Sequence, residues 1–296
     1  MTRRFLPPLL AVAALLLPAA AWAKPPVWVA HGPGATIVLF GSVHILPHGA
    51  DWEPDTLKQA LAEADELWFE IPIDDAAGLD TARAALAKGL LPEGETLSAK
   101  LSAKGRARLK REAEALRLPA PQLERLRPWY AEVAIGAAAY AKEGATADQG
   151  VERQLANAAP QAARRAFETG VQQIDLFASQ SEKVQVASLE DTLRDLEEDP
   201  RQSQRLIDAW LRGDIKALER EGLDEMRRDS PQMFDVVLTK RNAAWLPVLS
   251  ARLGAPPAGG RPAKIVVVVG VGHLLGPAGE PALLRAKGFR VDGPRD

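Results

Sequence analysis

The chain has 296 residues, with 37 basic and 39 acidic side chains, a formal net charge of −2 and no cysteine. That weakly acidic balance offers no basic footprint for nucleic acid or an anionic membrane surface. The absence of cysteine excludes disulfides and thiolate metal sites, so any metal must be held by His, Asp, Glu and water, a donor set suited to zinc, manganese, cobalt or iron.

The first 23 residues read as a secretory signal. Arg3 and Arg4 form a positive start, Leu6 to Leu17 an apolar stretch broken by Pro7 and Pro8, and Ala21-Trp22-Ala23 a cleavage site. The stretch is short for a span of about 20 residues. Cleavage after Ala23 is expected, with an uncleaved anchor as the rival. The mature chain then starts at Lys24, is periplasmic or secreted, and has no stable membrane span. Losing Arg3 and Arg4 from the 37 basic residues leaves 35 against 39 acids. The remaining length suits one α/β domain.

Val27–His31 and Thr36–Gly41 are β-rich runs separated by Gly32-Pro33-Gly34, which predicts a hairpin. Glu53 to Ala64 has helical spacing and Glu66 to Ile71 reads as a strand ended by Pro72, completing a βαβ unit. From about 74 to 254 the pattern is helical, with Ser98–Leu116 an amphipathic helix and Ala162–Phe167 the one run there that reads as strand. Lys264–Val269 carries five β-branched residues after a lysine, the pattern of a fully buried central strand. Pro281–Lys287 predicts a helix stopped by Gly288, and Phe289–Val291 a last strand. The predicted fold is α/β: a small mixed central sheet built from both chain ends, with a large helical insertion.

Two of the four histidines share one context. Gly41-Ser42-Val43-His44 follows the second strand and Gly270-Val271-Gly272-His273 follows the buried strand. Each stands at the carboxyl edge of an α/β sheet, where ligands bind. Glu70 ends a third strand and joins them. His44, His273 and Glu70 are a sufficient ligand set for a divalent metal with an open position for water. The plain alternative is a pair of loop or core histidines with no shared task. His48 is separated from His44 by Pro47, which spoils a helical pair, and ranks as peripheral; His31 ranks lower. The tryptophans at 52, 68, 129, 210 and 245 read as core or groove lining. Gly270-x-Gly272-x-x-x-Gly276 mimics a dinucleotide fingerprint, but it comes too late in the chain for a Rossmann sheet.

These elements resemble, in order, those of the TraB/GumN family, which includes the TIKI metalloproteases and is distantly similar to erythromycin-esterase and ChaN-like proteins. The resemblance is carried by Leu39 to Pro47, Leu67-Trp68-Phe69-Glu70, Gln149-Gly150-Val151-Glu152 (Glu152 where Asp is usual), Glu168-Thr169 with Gln172 to Phe177, Arg241-Asn242-Ala243-Ala244-Trp245, and Gly270 to Gly276. It implies a metal-assisted peptidase or related hydrolase centred on His44, Glu70 and His273. Glu70 is then a metal ligand or the general base beside the metal. Arg241 is a candidate for stabilising a tetrahedral intermediate, or else a structural ion pair. Glu168 is a supporting partner or a cap; Asp148 and Glu152 carry less weight. The expected partner is a peptide or small-molecule substrate. The rival from another class is a non-catalytic protein that sequesters a peptide, metal or haem in the same pocket.

Overall fold

The computed structural model describes residues 24–146, 150–155 and 157–294; the expected signal segment and Asp148 lie outside them. The described strands are β1 (Val27–His31), β2 (Ala35–Ser42), β3 (Leu46–Pro47), β4 (Glu66–Phe69), β5 (Ala145–Thr146), β6 (Ala163–Ala166), β7 (Ala263–Gly270) and β8 (Arg290–Asp292). Six of them form one sheet in the order β6-β4-β7-β2-β1-β8, while β3 and β5 form a separate two-stranded ribbon.

The β-branched run of β7 explains its central place. Ile265 to Val269 are at most 2% exposed, because apolar side chains on both faces need cover on both. β7 pairs in parallel with β2 on one side and β4 on the other, so β2 and β4 flank it rather than pairing with each other. β4 pairs in parallel with β6. Phe40, Val268 and Phe69 therefore lie in one row, and the carboxyl ends of four parallel strands reach one edge. β1 closes the predicted hairpin with β2, antiparallel, and β8 pairs with β1.

The mixed sheet with its helical body agrees with the sequence reading, with one refinement. β6 belongs to the middle of the chain, so the sheet is not made from the two ends alone. Its exposed Arg164 and Arg165 suit an open edge, where charge discourages pairing with another chain. The predicted helix 98–116 is two helices, Leu97–Lys100 and Ala103–Ala115. Ser102 restarts the second by accepting the Gly105 N–H at 2.9 Å. This region packs around its own core of Leu97, Leu109, Ile135, Leu189 and Leu193, separate from the core of the sheet. Among the described residues no helix is long and apolar enough to cross a membrane.

The helix Lys240–Gly254 matters most for the site. It buries Arg241, Asn242, Trp245 and Leu249, spaced along one face. Two π-helical turns come before it, Glu219–Leu223 and Asp235–Thr239.

Candidate functional site

The two Gly-x-x-His turns pack against each other, and their glycines do different things. A Cβ on Gly41 would lie 2.8 Å from the Val271 Cγ2 and 2.9 Å from its Cα, so only glycine lets the turns approach this closely. A Cβ on Gly270 would enter the narrow space between three side chains: 3.2 Å from Glu70 Oε1, tight enough that the carboxylate would have to give, 3.9 Å from His44 Nε2 and 3.8 Å from His273 Cδ2. His44, Glu70 and His273 are therefore brought together at the carboxyl edge of the sheet.

Glu70 is buried and fully engaged. Its Oε1 accepts the Gly270 N–H at 2.7 Å, and its Oε2 accepts from Arg241 Nη2 at 2.5 Å and Gln173 Nε2 at 3.1 Å. Burial pushes its pKa up, but Arg241, His44 and the Gly270 N–H work against that and hold the carboxyl below its usual range. These partners favour the ionised form of Glu70.

His273 is 3% exposed and held at both ring nitrogens. Nδ1 lies 2.5 Å from Asn242 Oδ1 and Nε2 lies 2.9 Å from Arg241 Nη1. A guanidinium only donates, so Nε2 carries the lone pair and Nδ1–H donates to Asn242. Asn242 also donates to the His273 and Ala278 carbonyls, which fixes its own orientation. Burial lowers the His273 pKa to about 3, and the neighbouring Arg241 works in the same direction, so the ring is neutral. Trp245 packs 4.4 Å from the His273 ring, under the Arg241 guanidinium at 4.7 Å, and stacks on Phe167.

Arg241 reaches the histidine edge from beneath it. It donates to Glu70, Glu168, His273 and the Val237 carbonyl, and its side chain is 9% exposed. Val237, whose carbonyl takes the Arg241 Nη1 donor at 3.1 Å, stands in the π-helical turn at 235–239. Burial raises the Glu168 pKa, with Arg241 opposing it.

His44 differs from His273. Its side chain is two-thirds exposed (68%), Nδ1 sits 2.8 Å from Glu152 Oε1, and Nε2 faces the space over Gly270. Glu152 raises its pKa; solvent on the open ring screens the pair, so the upward direction is what the geometry supports. Ser42 Oγ donates to the same Glu152 oxygen at 2.5 Å. The ring is thus oriented on one nitrogen and free on the other.

Glu152, Asn242, Gln173 and Ser42 shape the site more than sequence alone suggests. Asn242 and Glu152 stand in motifs that the sequence singles out, but spacing gives no side-chain direction. Gln173 also stands in a motif, Gln172 to Phe177, at a helix start, and nothing in the spacing turns it towards Glu70. His48 is exposed and lines no described cavity. His31 lies at the opposite edge, because β1 is antiparallel, and pairs with Asp292 at 2.9 Å. The glycine-rich turn after β7 continues as the short 3-10 segment Val271–Leu274, not as the helix that a dinucleotide pyrophosphate needs. Of the five tryptophans, 52, 129, 210 and 245 are buried and Trp68 is half-buried.

Two cavities open on His44 and Glu70. One of about 670 Å³ extends past Pro72, Leu79 and Arg153; the other, of about 710 Å³, has mostly apolar walls. An open α/β sheet with a buried Glu–Arg–His network and one exposed histidine at its carboxyl edge defines an α/β protein of the paired Gly-x-x-His class. The chain belongs to the TraB/PrgY/gumN family, whose profile matches residues 26–293. No curated protein and no solved structure matches the chain.

The expected metal can be tested against these donors. Among the described residues no three His, Asp or Glu side chains already form a ligand cluster. The His273 lone pair accepts from Arg241, so His273 is not free to join. His44 Nε2 and Glu70 Oε1 do fit: both border the cradle that a Gly270 Cβ would fill, an imidazole nitrogen and a carboxylate oxygen being donors of the right kind, and Glu152 backs His44 from its other ring nitrogen.

Proposed function

We propose that the protein is an exported hydrolase, most simply a peptidase, that cleaves a peptide or small-molecule carbonyl substrate over Gly270. In this reading His44 Nε2 and Glu70 Oε1 would hold a divalent metal. The supporting observation is the cradle itself, an imidazole nitrogen and a carboxylate oxygen bordering the space that a Gly270 side chain would occupy, at the mouth of two cavities. The ion, once bound, supplies a more acidic water and a polarised carbonyl.

The remaining roles belong to the chain. Glu152 accepts from Nδ1 of His44 and so aims Nε2 at the cradle, the outer-shell task of a carboxylate behind a ligating imidazole. Arg241 keeps Glu70 ionised and fixes its rotamer; with both Nη groups committed to protein partners and its Nε buried, it acts through Glu70 rather than on substrate. Asn242 holds His273 in one tautomer. For His273 to ligate, Arg241 Nη1 must first leave Nε2.

A second reading is favoured by the His44–Glu152 pair. An imidazole held by a carboxylate on one nitrogen and open on the other can move a proton at Nε2 without a metal. Loading of the mature protein with zinc, manganese, cobalt or iron(II), followed by a peptide-cleavage screen with wild type, His44→Ala and Glu70→Gln, separates the readings. Metal-dependent cleavage lost in both variants supports the first. Cleavage that survives chelation but not His44→Ala supports the second. Ligand binding without any turnover makes the protein a sequestering one.

A further inference from the structure

The 710 Å³ cavity has walls of one kind and a single polar end. Tyr140, Phe177, Leu223, Met226, Val237 and Leu238 line it, and His44, Glu70 and Arg241 close the end at the sheet. Its walls are left uncovered by the chain: Met226 is 38% exposed and Val133, also on the wall, 49%. Its volume lies within the range of small-molecule sites, which are mostly apolar with a few convergent polar groups.

The backbone is shaped around this space. Both π-helical turns supply wall residues: Gly222 and Leu223 from the first, Val237 and Leu238 from the second. Their leucines meet over Gly272, next to His273; a Cβ there would lie 3.3 Å from Leu238 Cδ2 and 3.4 Å from Leu223 Cδ2. Two such turns within one short stretch are uncommon, and π-turns concentrate at functional sites. The turn that carries the Val237 carbonyl bonded to Arg241 also carries Leu238 on the cavity wall, so the polar network and the apolar wall share one piece of backbone.

We infer that this cavity is a specificity pocket for an extended apolar group attached to the carbonyl placed over Gly270, with Leu223, Met226 and Leu238 as the selecting residues. The inference rests on the hydrolase reading for what happens to that carbonyl, but not for the binding itself. The shared chemistry is an aliphatic or aromatic group next to an acyl head; a peptide side chain and a fatty acyl chain are its two sources.

The test is calorimetric binding to the mature protein of two probe series, n-alkanoates of increasing length and N-acetyl amino-acid amides running from alanine to leucine and phenylalanine. The affinity should rise about fourfold for each methylene that enters the pocket. Met226→Gln and Leu238→Gln should each weaken the longest probes about tenfold while leaving the shortest unchanged. Leu86→Gln, an exposed leucine that lines no described cavity, should change nothing and controls for general stickiness. Met226 is partly exposed, so its variant keeps the test valid if Leu238→Gln fails to fold. A length dependence in the alkanoates only assigns the pocket to acyl chains, and one in the amides only assigns it to peptide side chains. Affinity independent of apolar size in both series overturns the inference, even if hydrolysis is found. Size-dependent binding lost in Met226→Gln without any hydrolysis upholds the pocket and removes the hydrolase reading instead.

Discussion

His44 and His273 stand in matching turns yet have opposite electrostatics, and neighbours alone make the difference. Burial and Arg241 keep His273 neutral, whereas Glu152 favours the charged form of His44. An NMR titration of the imidazole Cε1 protons should give His44 a midpoint above 6.5 that falls in Glu152→Gln, and no titration of His273 down to about pH 4. The sign follows from linkage. A histidine raised in the folded state contributes stability that is full below its unfolded pKa and is lost as pH rises through the folded one. The stability difference between wild type and Glu152→Gln should therefore shrink towards alkaline pH. Arg241 belongs to the same scale. Arg241→Met leaves the buried Glu70 and Glu168 carboxylates without their cation, and urea unfolding should show a loss of about 3–5 kcal/mol. Arg241→Lys should recover only part of it, since one ammonium cannot reproduce the fork to Glu70, Glu168 and His273.

At the scale of elements, the two glycine turns separate folding from function. Gly41→Ala drives a Cβ into Val271 and should lower stability by about 1–3 kcal/mol. Gly270 has φ −51°, which any residue adopts, but its Cβ would press on Glu70 Oε1 at 3.2 Å, so Gly270→Ala should displace that carboxylate and lose metal affinity while costing less stability than Gly41→Ala. Comparing the two variants in thermal unfolding and metal titration checks both statements. The turns were legible in the sequence because a strand pattern, a glycine and a histidine recur at both chain ends. So were Glu70 and Arg241, one at a strand end and the other in a family motif. Hydrogen-bond commitments were not legible. Nothing in the spacing says that the His273 lone pair faces Arg241 while that of His44 faces a cavity, because side-chain direction depends on contacts across the fold. The break at Ser102 was hidden for a related reason: a serine in an amphipathic run is read as surface until Gly105 is seen to donate to it.

For the whole molecule, the helices around Leu97, Leu109, Ile135, Leu189 and Leu193 have an apolar core of their own, while the rest of the insertion, from Ile207 to Leu253, packs into the core of the sheet, and the site lies on the sheet's side, covered by the helices that precede β7. A further buried acid bears on overall stability. Glu280 is 1% exposed with no hydrogen-bond partner on either carboxyl oxygen, and burial raises its pKa to about 8. Its contribution is full below its unfolded pKa of about 4.3 and is lost as pH rises through the folded value. Wild type should therefore lose stability relative to Glu280→Gln between about pH 5 and 8, in urea titrations run across that range. Equal pH profiles would show that Glu280 finds a partner when ionised.

The most direct test of the central claim is isothermal titration of the mature protein with zinc, manganese, cobalt and iron(II) at neutral pH, for wild type, His44→Ala, Glu70→Gln and Gly270→Ala. The account predicts one equivalent of at least one of these ions, bound by wild type and lost in all three variants, with proton release as His44 Nε2 gives up its proton. No binding of any of the four, or binding that survives in both His44→Ala and Glu70→Gln, would contradict it.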